Sequence, residues 1–181
     1  MDNKSRIIWI TRTAVFIALL IVLQAATAPL GNILVTGSIV NMLLILSVMT
    51  CSLSSGLTVA MLSPVLAKFF GIGPFWSLIP FIVIGNITLI LIWHFIGSSK
   101  KLGRIGAYTT ALIVAAAAKF TVLYLGIVRL AVPVLLKLPP QQAAAVSAMF
   151  SVPQLITAAI GGAAAIAVLP LLRAVRKTSA R

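Results

Sequence analysis

Residues 108–128 read YTTALIVAAAAKFTVLYLGIV, an apolar run broken by one ammonium group, Lys119. The run is about 20 residues long and otherwise uncharged, as a helix that crosses a bilayer must be. Apolar and polar residues do not alternate in it, which excludes a membrane β-strand. Similar runs recur along the chain. With 61% hydrophobic residues among 181, and a mean hydropathy of +1.20, a soluble domain of this size could not bury its apolar surface. The expected fold class is an all-α polytopic membrane protein, a single domain over 1–181.

Six transmembrane helices are expected, at about 7–26, 38–53, 55–70, 75–96, 105–128 and 148–172. The second and third are short, roughly 24 Å each at about 1.5 Å per residue. Leu53-Ser54-Ser55-Gly56 reads as the tight hairpin between them. Charge supports this count. With both termini cytoplasmic, the inner segments hold Lys4 and Arg6, then Lys100, Lys101 and Arg104, then Arg173, Arg176, Lys177 and Arg181. The outer connections 27–37 and 71–74 hold no Lys or Arg, as the positive-inside rule requires. The exception is the expected outer connection 129–142, which carries Arg129 and Lys137. Ala26-Thr27-Ala28 resembles a signal-peptidase site, but cleavage would leave five spans and break the charge pattern. The first helix is therefore expected to be retained.

The chain carries 14 Lys and Arg against one acid, Asp2. In a soluble protein this would suggest nucleic acid. Here the cations flank apolar runs, where they orient the chain against anionic lipid, and no nucleic-acid partner is expected. Beyond Asp2 there is no carboxylate to carry a coupling proton. His94, beside Trp93 at the cytoplasmic end of the fourth span, reads as interfacial, with Trp93 in the aromatic belt. No GxxxxGK[ST] loop is present, so the chain has no such device for ATP hydrolysis. One His and one Cys, Cys51, make no ordinary metal site. No catalytic residue, metal or cofactor is assigned, and the chain is not expected to be an enzyme.

A few polar groups remain inside apolar runs. Asn86 lies midway along the fourth span, Lys119 just past the middle of the fifth, and Gln154 in the outer half of the sixth. Each is costly in hydrocarbon and should face the bundle interior or a cavity. Asn86 and Gln154 could equally be interhelical hydrogen-bond glue, and Lys119 could snorkel or pair with backbone carbonyls. No protein carboxylate is available to Lys119, so its natural partner is a carboxylate, phosphate or carbonyl on a small-molecule ligand. The outer loops carry Asn32 and Trp76, whose ring could stack on a flat ligand or sit in the interface. Pro64, Pro80 and Pro153 can kink their spans.

The first helix reads TRTAVFIALLIVLQAATAPLG, with Ala14 and Ala18 in an AxxxA motif after a basic tail. The last reads VPQLITAAIGGAAAIAVLPLLRAVRK, with Gln154 and Gly161-Gly162. In a six-helix, basic frame of this length, these features resemble the substrate-binding S component of energy-coupling factor (ECF) vitamin transporters, and the resemblance covers essentially the whole chain. It implies a bacterial-type plasma membrane and capture of a small water-soluble vitamin or cofactor precursor on the outer side. It also implies partners: a transmembrane coupling subunit and two ATPase subunits, which use the ATP. Ala14 and Ala18 would form the docking face, since residues four apart share a side of a helix and two methyls admit a close neighbour. The substrate site would lie among the outer loops and the last three spans, where Asn32, Trp76, Asn86, Lys119, Tyr124 and Gln154 are the candidates. The alternatives are a self-sufficient permease or facilitator, and a non-transport scaffold subunit.

Overall fold

The computed structural model describes residues 3–178, and side chains as far as Ala174. Asp2 and Arg181 lie outside the described residues, as do the side chains of Arg176 and Lys177. The described chain is helical throughout, with no strand: α1 Asn3–Thr27, α2 Ile33–Thr50, α3 Leu53–Phe69, α4 Ile79–Phe95, α5 Gly103–Leu123, α6 Pro140–Met149 and α7 Val152–Thr178. Five helical segments are long and apolar enough to cross a membrane, Asn3–Leu30, Ile33–Thr50, Trp76–Phe95, Gly103–Leu136 and Pro140–Ala174, and Leu53–Phe69 is a shorter apolar helix.

Local chemistry sets the boundaries. α1 stops where Pro29 enters a short 3-10 turn and Gly31 takes a left-handed φ of 63°. Asn32 then caps α2, its side-chain oxygen accepting from the backbone N–H of Leu34 (3.0 Å) and Val35 (3.4 Å). α2 thus begins at Ile33, five residues before the expected span. The hairpin between α2 and α3 turns at Cys51 and Ser52, not at residues 53–56, which form the first turn of α3. Ser52 is the N-cap, accepting from the N–H of Ser55 at 3.2 Å. Gly56 is there for packing, since a Cβ on it would lie 2.8 Å from Val48 Cβ. Pro80 and Pro153 stand in the first turns of α4 and α7, where a missing N–H costs nothing, so they start helices and do not kink them. Only Pro64 of these three lies inside a helix.

The largest departure from expectation is at 129–142. α5 does not end there but continues as a π-helical stretch, Tyr124–Leu136, which closes at Lys137 with φ 45°. α6 follows almost at once. The cations Arg129 and Lys137 are exposed while Ile127, Ala131 and Val132 are buried, so the segment is amphipathic and packed and not a loop.

α2 is the central helix. Residues 43–48 are all buried, so it is enclosed on every side. It packs most extensively on α7, and small residues make that possible. A Cβ on Gly161 of α7 would lie 2.6 Å from Ser38 O and 2.7 Å from Asn41 Cβ, and one on Gly37 of α2 would lie 2.8 Å from a methyl of Thr157. Beside this crossing, Trp93 is fully buried against Tyr108, with ring centroids 6.0 Å apart, so it belongs to the core and not to an aromatic belt.

The bundle has two unlike ends. At one, Trp9 and Thr13 of α1 bond Ser54 and Ser55 at the α2–α3 turn, and Arg173 lies over the Tyr108 ring near the start of α5. Arg6, Arg12, Lys100, Lys101 and Arg104 belong to this basic end. At the other end the α1–α2, α3–α4 and α6–α7 connections gather. Because a side chain at residue 161 would meet backbone atoms, Gly161→Ala should destabilise the protein by about 1–3 kcal/mol. Gly106→Ala, whose Cβ would meet only Leu102 Cβ at 3.7 Å, should be neutral or gain up to about 1 kcal/mol. Thermal unfolding of both variants in detergent checks the contrast.

Candidate functional site

α2, α4 and α5 each bring one polar side chain to a common point in the middle of the bundle. Lys119 of α5 is 3% exposed, and its Nζ donates to Asn41 Oδ1 at 2.6 Å and to Asn86 Oδ1 at 2.7 Å. Asn41 and Asn86 are themselves 1% and 2% exposed. Asn41 passes the chain onward. Its Nδ2 donates to Thr157 Oγ1 of α7 at 3.3 Å, and that hydroxyl donates to the backbone oxygen of Gln154 at 3.1 Å. With its oxygen on an ammonium and its nitrogen on a hydroxyl, the Asn41 amide has one self-consistent orientation. Four helices are tied to one ammonium, and no carboxylate lies among the described residues to neutralise it.

Above this cluster is a cavity of about 450 Å³. Asn41, Asn86 and Lys119 line it, as do Asn32, Gly73, Pro74 and Phe150 from the connections. Asn41 lies nine residues along α2 from Asn32, so the cavity runs about 13 Å into the bundle from that end. Ile33, Val40, Ile82, Leu123 and Met149 give it a mostly apolar wall, and Gln24 of α1 and Gln154 of α7 add amides. The Gln154 amide donates to Met149 O at 3.1 Å, bracing the α6–α7 turn, whereas Gln24 Oε1 is buried without a partner. Below Lys119 the bundle is solid, with Leu44, Ile45, Ile90 and Trp93 all fully buried.

Four of the six expected site residues, Asn32, Asn86, Lys119 and Gln154, therefore share one cavity. Trp76 and Tyr124 are not in its wall. Trp76 is half exposed and packs edge-on against Phe69, with centroids 5.0 Å apart. Tyr124 stacks on Phe120 at 5.6 Å and lies under the Arg129 guanidinium at 5.5 Å. The cavity also uses residues that the sequence reading passed over, chiefly Asn41 and Gln24. Asn41 had a signal, being an amide within the apolar run SIVNMLLIL. Ala14 and Ala18 are both exposed on α1, away from the cavity. No group of three or more metal-ligating side chains occurs among the described residues. No family model, curated protein or solved structure matches the chain.

Asn41→Leu should cost about 1–3 kcal/mol, because it strips a buried ammonium of one acceptor. Combining it with Lys119→Met should cost clearly less than the sum, with a coupling of about 1 kcal/mol or more between the two positions. Thermal melts of the two single variants and the double variant measure this.

Proposed function

We propose that the chain is the substrate-capture subunit of an ATP-driven importer of the energy-coupling factor type, binding a small water-soluble vitamin or cofactor precursor. One observation carries the reading: the cavity enters from a single end and stops at Lys119 above a packed core. A cavity open at one end and closed by a packed core suits capture of a solute from one side. The cavity also has the size and mostly apolar lining of small-molecule sites, with a few convergent polar groups.

Orientation supports the same reading. The basic end is cytoplasmic by the positive-inside rule, so the cavity faces outward, where a scarce solute is met. The chain has no phosphate-binding loop, so the energy comes from partners: a transmembrane coupling subunit and two ATPase subunits. Ala14 and Ala18 stand exposed on α1, free to receive a helix of the coupling subunit at close range.

The tagged protein, gently extracted from its own membrane, should carry the coupling subunit and ATPases with it. Ala14→Trp or Ala18→Trp should abolish that co-purification and leave ligand affinity unchanged, since neither residue touches the cavity. Native mass spectrometry reads both. Uptake by vesicles containing this chain alone, without ATP, would refute the capture reading in favour of a self-sufficient permease.

A further inference from the structure

We infer that the floor of the cavity is a receptor for a single carboxylate, borne on a flat, largely apolar body. The inference rests on the capture reading and names the chemistry of what is captured. An ammonium has three N–H groups. Two of those on Lys119 are taken by Asn41 and Asn86, and the third has no partner among the described residues. Asn86 has spent its oxygen on Lys119, and its own Nδ2 donates to no group among the described residues. Two adjacent donors, one of them charged, thus meet at a point that lines the cavity. A carboxylate has two coplanar oxygens that can take one donor each, and its charge supplies the counter-ion that the described residues lack.

The alternatives fit less well. A neutral carbonyl could take one N–H but would leave the ammonium uncompensated. A phosphate monoester carries about −1.5 to −2 charges near neutral pH and asks for more than one cation. Lys119 is the only cation lining the cavity among the described residues. The body of the ligand meets Val40, Ile82, Leu123 and Phe150, which favour an apolar ring.

The test uses three probes of one shape: naphthoate, its primary amide, and naphthyl phosphate. Each is titrated at up to millimolar concentration into the full chain in detergent, with ligand-induced thermal shift as the readout. Naphthoate should bind about tenfold or more tightly than the amide, and the phosphate no better than the amide. Asn86→Asp keeps the side-chain shape but gives Lys119 an internal counter-ion. In that variant, and in Lys119→Met, the preference for the acid should vanish while amide binding persists. Equal affinity for acid and amide in the wild type would overturn the inference, as would tighter binding of the phosphate. So would an acid preference that survives both substitutions, or no response to naphthoate at all. The wild-type comparison needs no variant to fold. Co-purification with the ATPases judges the capture reading separately, so that reading can stand while the carboxylate receptor fails.

Discussion

A buried ammonium held by two amide oxygens is the constraint on which this bundle turns. Lys119 is buried and meets the outside only through the cavity, and no acid lies among the described residues to pair with it. Its two acceptors come from different helices, so α2, α4 and α5 must meet at a fixed height. Asn41 then fixes α7 to the same level through Thr157. The two amides take two of the three ammonium N–H groups and leave its charge. The arrangement is unfinished both in hydrogen bonds and in charge.

The close crossing of α2 and α7 is the mechanical counterpart of that polar tie. Small residues let the two backbones approach closely, and that approach supplies the packing. Gly37 and Gly161 sit on either side of the Asn41–Thr157 bond, each one turn from a partner in it. Enlarging either residue would push the two helices apart where a 3.3 Å bond has no slack.

Sequence alone located the helices because continuous apolar runs are a strong signal, and it located Lys119 and Asn86 because ionised and amide groups are rare in such runs. It erred where polar residues serve the backbone. Asn32 reads as a loop residue and Ser52 as part of the second span, whereas both are N-caps, of α2 and α3. It erred again at 129–142, where Arg129 and Lys137 suggested a solvated connection although LAVPVLL still carries an apolar face. Asn41 was legible by the very rule that found Asn86. Thr157 was not, because a threonine in a helix usually bonds its own preceding turn, and only the fold shows a second partner. The absence of Trp76 from the cavity depends on its contact with Phe69, which no spacing rule supplies.

The modest attachment of α1 has a consequence for the range of molecules the cavity can admit. Of its 25 residues only Thr13 and Leu20 are buried, and polar pins hold it in its first half, Trp9 to Ser54 and Thr13 to Ser55, and at its last residue, Thr27 to Thr36. The α2, α4, α5 and α7 walls share the Lys119 tie or the α2–α7 crossing. α1 is a compliant wall beside these four, and it carries Gln24 into the lining. A bulkier guest would strain the Thr27–Thr36 pin and tilt α1 outward, while the α2, α4, α5 and α7 walls kept their shape. Tolerance in guest size would therefore lie on the α1 side, and discrimination by charge on the side of α4 and α5.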